Sequence, residues 1–196
     1  MCSNYESIGD TKALEDWFSS KRLPLALDKK SIRPTDLAFI FGINKQPHML
    51  SWGIPMIWQD GKKTQPIINA RAETITQKHI FRPILNHRCL IPATTWFEWR
   101  KVGDKKLKYR IKLQDEPLFT FAGLVSDNHF IIITCESAPS LSHIHSRMPV
   151  ILSPEVQSKW LDKQIPFEAL AKHLVPYFNN SFKYYEERPA QFELFT

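Results

Sequence analysis

The strict alternation from Lys106 to Leu113 constrains this chain more than any other stretch. Lys106, Lys108, Arg110 and Lys112 fall on one side and Leu107, Tyr109, Ile111 and Leu113 on the other. That period of two belongs to an extended strand with one apolar face. Gly103-Asp104 supplies a turn just before it. Such a strand must hydrogen-bond to neighbours and bury its apolar side, which commits the chain to a sheet. Its basic side fits a surface that tracks phosphates, or a solvated edge protected by lysines. Leu37 to Phe41, Met49 to Trp52, Phe119 to Leu124, Phe130 to Thr134 and Phe182 to Tyr185 read as further strands. Helical signals are fewer: Asp10 or Thr11 before Leu14, Trp17 and Phe18, a Ser153-Pro154 start running to Leu161, and Phe167 to Leu174. With strands in the majority and no repeated βαβ unit, the expected fold is α+β, a mostly antiparallel, barrel-like sheet flanked by short helices.

At 196 residues and 43% hydrophobic, the chain holds one well-buried core, so one domain is expected over residues 1–188 with a tail over 189–196. No apolar run approaches the roughly 20 residues that span a bilayer, and the N-terminus lacks a basic start and an apolar core. A soluble, cytoplasmic protein is expected. Cys2, Cys89 and Cys135 are odd in number and far apart, which suits neither a disulfide framework nor a zinc site, and no metal or cofactor is expected. A net charge of +6 fits a polyanionic partner without requiring one.

Four stretches carry chemistry. If Met1 is removed, Cys2 offers a free α-amine and a thiol on adjacent carbons, a pair that closes a five-membered thiazolidine on an aldehyde. By itself, a second-position cysteine is equally an inert terminal residue. In Ile67 to Thr74, a strand would put Asn69, Arg71 and Glu73 on one face, and the plain alternative is a solvent-facing strand with an Arg71–Glu73 pair. Glu98 sits among Trp96, Phe97 and Trp99; an apolar surround would raise its pKa and suit it to acid–base work, unless it faces water. Ser142 to Pro149 brings His143, His145 and Arg147 to a loop, a proton shuttle near an anion or only a polar connection. Trp52 and Trp58 flank a Gly/Pro-broken turn and serve either base stacking or core filling.

Taken together, Cys2, Asn69 to Thr74, Arg88 to Ala93 with Trp96 to Trp99, and Ile144 to Leu152 resemble the SOS response-associated peptidase family, the abasic-site processing proteins. The motifs stand in family order and span nearly the whole chain. Trp52-Gly53 and Phe121 to Leu124 match as well. The resemblance implies the family's barrel-like fold and loss of Met1, after which Cys2 crosslinks through a thiazolidine to the ring-opened aldehyde of an abasic site in single-stranded DNA. It also implies that Asn69 bonds the opened sugar, that Glu98 moves protons during Schiff-base formation and ring closure, and that Arg71 holds an adjacent phosphate. His145 would assist at the sugar hydroxyl and in crosslink reversal. Trp52, Trp58, Arg147 and Asn4 are the further expected DNA contacts.

The implied partner is single-stranded DNA containing abasic sites, met by a monomer at damaged DNA in the nucleoid, with some lyase character because a Schiff base can also lead to β-elimination. Two other readings stand beside this one. The first is a thiol peptidase using Cys2 with Glu98 or His145, acting in trans or removing Met1. The second is a non-catalytic single-strand binding module. A peptidase needs no α-amine, whereas thiazolidine chemistry explains a terminal cysteine. The family usually opens Cys-Gly-Arg, while this chain has Cys2-Ser3-Asn4, losing a glycine and a cation.

The last residues, Gln191-Phe192-Glu193-Leu194-Phe195-Thr196, look like the bacterial sliding-clamp-binding pentapeptide Gln-Leu-x-Leu-Phe, with Phe192 in place of Leu. In such peptides Leu194 and Phe195 would fill an apolar pocket and Gln191 would bond at its rim. Docking on a replication clamp and packing against its own domain are the two expectations for this tail.

Overall fold

Twelve strands and two short α-helices are formed by residues 2–7, 31–43, 45–56, 65–177 and 182–187, which the computed structural model describes. In chain order the strands are β1 (Tyr5–Glu6), β2 (Ser31–Ile32), β3 (Leu37–Gly42), β4 (Pro47–Trp52), β5 (Asn69–Arg71), β6 (Arg88–Ala93), β7 (Thr95–Val102), β8 (Lys105–Leu113), β9 (Phe119–Ser126), β10 (His129–Glu136), β11 (Arg147–Pro149) and β12 (Phe182–Glu186). Helices α1 (Pro154–Trp160) and α2 (Phe167–Leu170) lie between β11 and β12.

Pairing runs β10–β4–β3–β6–β9 and returns to β10, so five strands close into a barrel. Closure leaves these strands without a free edge. Only the β4–β10 contact in this ring is parallel. Gly123 stands at the seam, opposite Cys89 of β6 and Ile132 of β10. A Cβ there would approach Ile91 Cδ1 to 2.5 Å and both Cys89 Sγ and the Ile131 carbonyl oxygen to 2.8 Å, so only hydrogen fits.

A second, antiparallel sheet runs β12–β8–β7–β1–β2. Its apolar face carries Tyr5 and Trp96, which meet the barrel edge-on: Tyr5 lies 5.3 Å from Trp52 and 5.8 Å from Phe121, and Trp96 lies 6.2 Å from Phe121. These aromatic contacts weld sheet to barrel. The expected alternation of β8 is present, but its basic face is partly neutralised. Lys108 and Arg110 sit 3.9 and 4.8 Å above the Phe97 ring, and they pair with Glu187 and with Glu6 and Glu187, respectively.

The helical segment is fastened by a buried cation. Arg88, 1% exposed, donates from Nε to the Trp160 carbonyl at 2.7 Å, from Nη2 to those of Asp162 and Ile165 at 2.7 and 2.9 Å, and from Nη1 to Asn86 Oδ1 at 2.9 Å. A buried guanidinium persists only when its donors are met in this way. Ser153 occupies the N-cap of α1 without a side-chain cap bond, and the second expected helix tightens into a 3-10 turn over Ala171–His173.

Two expectations change. Trp52 is fully buried and its Nε1 donates to the Ile68 carbonyl at 2.9 Å, so it fills the core and stacks on no base. The turn after it is real, with Gly53 at φ 113°. The stretch Ile67 to Thr74 forms a strand over Asn69–Arg71, after an isolated bridge from Ile67 to Ile54, and then turns, so Glu73 does not continue its face. Trp58, the helix expected near Leu14 to Phe18, and the tail residues Gln191, Leu194 and Phe195 lie outside the described residues.

Candidate active site

Strand β10 sets the layout of the site. Its first half pairs with β9 and β4, and its second half continues between two short strands. There Ile132 faces Asn69, Thr134 faces both Arg71 and Pro149, and Glu136 faces Arg147. Two stretches far apart in sequence thus flank the second half of β10 and meet at Thr134. From the other sheet, Tyr5 pairs with Trp96, and the Phe97 amide donates to the Asn4 carbonyl at 3.0 Å. This antiparallel run carries Ser3 and Cys2 to the Glu98–Trp99 end of β7.

Cys2 is fully buried there. Its carbonyl oxygen accepts a hydrogen bond from Asn69 Nδ2 at 2.7 Å, and its Sγ makes a weak contact with the Asn4 carbonyl at 3.6 Å. Burial, reinforced by the nearby charge of Glu98, pushes the thiol well above its ordinary pKa. Asn69 Oδ1 is buried without a hydrogen-bond partner among the described residues.

Glu98 is 2% exposed, and burial pushes its carboxyl up to about 7. Its Oε2 lies 3.9 Å from Nδ1 of His145. That nitrogen lies 3.0 Å from the Arg147 amide nitrogen and 3.2 Å from the Arg147 carbonyl oxygen, and the tautomer decides which of the two it bonds. Burial holds the His145 pKa below its ordinary value. Near neutrality the pair therefore combines an uncharged imidazole with a carboxyl that is half protonated. A cleft of about 400 Å³ opens over it, lined by Ser3, Glu98, Trp99, Lys101, Lys106 and His145. A larger cleft of about 710 Å³ beside Lys45 and α1 holds no cysteine and no buried acid, so chemistry and not volume distinguishes the site.

Cys2, Asn69, Glu98 and His145 are thus brought together. Arg71 is exposed on β5 beside them. Arg147 is committed inward: its Nη1 and Nη2 donate to Glu73 at 3.0 and 2.9 Å, and Nη2 also donates to the Thr134 carbonyl at 2.7 Å. Glu73 therefore pairs with Arg147 and not with Arg71. Asn4 is 3% exposed, with Oδ1 accepting from Ser31 Oγ at 2.9 Å, which turns its side chain away from any DNA strand. Ser3, Lys101 and Lys106 line the cleft, and of these only Lys106 had a reading from sequence, as part of a basic face that tracks phosphates or meets solvent. The alternation of β8 marked Lys106 as exposed, but nothing local marks Lys101, whose place follows from its pairing with Lys106.

The sequence profile of the SOS response associated peptidase (SRAP) family matches residues 1–189. The chain is similar to abasic site processing protein YoaM of Bacillus subtilis, with 39% identity over 74% of this chain and 70% of that protein. Abasic site processing protein YobE of the same species is 37% identical over 74% and 72% of the two chains. Among solved structures, a protein from Bacteroides thetaiotaomicron aligns with a TM-score of 0.82 and 25% identity, covering 95% of this chain and 92% of that one. Profile, relatives and barrel agree, and the chain belongs to the SOS response associated peptidase family.

Proposed function

We propose that this protein captures abasic sites in single-stranded DNA by forming a thiazolidine between Cys2 and the aldehyde of the opened sugar, after loss of Met1. The observation that carries the reading is the 2.7 Å bond from Asn69 to the Cys2 carbonyl. It fixes the backbone of a terminal cysteine, so that amine and thiol are presented together beside Glu98. The names of its relatives, abasic site processing proteins, point the same way.

The chemistry divides into two proton-coupled steps. The α-amine adds to the aldehyde carbon to give a carbinolamine, and Glu98 in its protonated form donates to the departing hydroxyl, which leaves as water. The thiol then attacks the iminium carbon, its proton passes to the carboxylate that Glu98 has become, and the five-membered ring closes. One water is released and the acid is regenerated. A group with a pKa of about 7 serves both directions at neutral pH. His145 Nε2 is available to a sugar hydroxyl, and the open acceptor on Asn69 to another. A peptidase needs no free α-amine, whereas ring closure uses both the amine and the thiol of a terminal cysteine.

The test is a denaturing gel of the protein with a single-stranded oligonucleotide carrying one abasic site, beside an undamaged one. A slowly migrating, heat-resistant band that requires both the abasic site and Cys2, with intact mass showing Met1 removed, is the expected result. No band from protein lacking Met1 would overturn the reading.

A further inference from the structure

Resting on the reading above, we propose that Lys101 and Lys106 form a phosphate clamp at the rim of the cleft, gripping the DNA backbone next to the captured sugar. The two lysines face each other across the β7–β8 ladder, both are exposed, and both line the cleft that exposes Glu98 and His145. Like charges directly opposite on a sheet destabilise it. On the same face the protein neutralises its other cations near the hairpin: Lys108 bonds Glu187, and Arg110 bonds Glu6 and Glu187. Neither Lys101 nor Lys106 makes an ion pair among the described residues.

Two unmatched cations at the mouth of a cleft suit an anion that arrives from outside. A phosphodiester fits, because a lysine ammonium acts as a point charge and tolerates the variable path of a single strand. Asn4, the neighbouring polar residue of the N-terminal run, is turned inward onto Ser31 and cannot serve. By alternation Trp99 shares the face of Lys101, while Glu98 faces the opposite way. The cleft therefore wraps the edge of β7 beyond the end of β1. A strand passing over that edge meets the lysines on the outer face as its sugar reaches the acid on the inner one.

Lys112 and Lys183 provide an internal contrast. They also face each other and are exposed, but at the β8–β12 edge, about 20 Å along β8 from Lys106. The experiment compares Lys101→Gln/Lys106→Gln with Lys112→Gln/Lys183→Gln and the parent protein. Affinity for an undamaged single-stranded oligonucleotide, which has no aldehyde, is measured against salt concentration. Each single-strand phosphate contact contributes about 0.7 to the slope of log K against log salt. The cleft variant is expected to lose about 1.4 from that slope and at least about tenfold in low-salt affinity, while the distant pair leaves the slope unchanged. Free 2-deoxyribose, an aldehyde without phosphate, should react with Cys2 at the same rate in all three proteins. Equal slopes in all three, or equal losses in both variants, would overturn the clamp. If the parent protein fails to crosslink abasic DNA while the cleft variant still loses its slope, the capture reading falls and the clamp stands. If the parent crosslinks and the slopes agree, the clamp alone falls.

Discussion

His145 and Glu98 face each other across 3.9 Å, Nδ1 to Oε2, and burial moves their acidities in opposite directions, the carboxyl up to about 7 and the imidazole below its ordinary value. Between the ordinary 4.5 and about 7, the folded protein holds a proton on Glu98 that the unfolded chain has released. Stability from this group is therefore complete below pH 4.5 and is lost as pH rises towards 7, on the order of 3 kcal/mol in all. Glu98→Gln should flatten that part of the profile. Denaturant titrations of both proteins across pH 4.5 to 8 check this, and parallel profiles would show that Glu98 ionises freely.

In crosslinking, the same substitution removes the proton carrier. Glu98→Gln is expected to slow the appearance of the DNA adduct by about 100-fold or more. The parent rate should fall above pH 7 as the acid form is depleted. Single-turnover gels at several pH values give both numbers.

Cys2→Ala keeps the α-amine and loses the sulfur. Such a variant should still form a Schiff base with an abasic site but cannot close the ring. Borohydride should trap it covalently, and without borohydride the strand should break by β-elimination. A variant that neither traps nor cleaves would mean that the amine does not reach the aldehyde.

Asn69→Ala removes the donor that holds the Cys2 carbonyl. The loss of one buried hydrogen bond should cost about 1 kcal/mol in stability, read by denaturant unfolding. The adduct should form more slowly with abasic DNA, and also with free 2-deoxyribose, because the defect lies in the nucleophile and not in DNA binding.

Gly123→Ala places a methyl group against Ile91, Cys89 and the Ile131 carbonyl. Since the last is backbone, relief requires the barrel seam to move, and a loss of about 1–3 kcal/mol is expected. A thermal melt matching that of the parent would show that the seam has room.

The β7–β8 hairpin was legible because alternation and a turn are local properties. Glu98 was legible for the same reason, since its aromatic neighbours are adjacent in sequence. Trp52 was left open between stacking and core filling, and only the resemblance made it a DNA contact, because what buries it is not local: the Ile68 carbonyl that accepts its indole N–H returns only after a long connection. The Arg147–Glu73 pair was hidden likewise. Both residues reach it through their strands' contacts with β10, and no pattern along either stretch shows that they flank the same strand. Recognition of the family motifs placed Asn69 and His145 at the site where residue chemistry alone left their roles open.

The order in which the strands pair bears on how the site is assembled. Strand β1 takes both of its neighbours from later in the chain, Ile32 and Trp96 opposite Tyr5, and the backbone of Cys2 is held by a residue 67 positions downstream. Residues 2 to 6 are thus fixed only once Asn69 and Trp96 are in place. Under the proposed capture chemistry, the buried acid and the bond that orients Cys2 exist only once these distant segments have met.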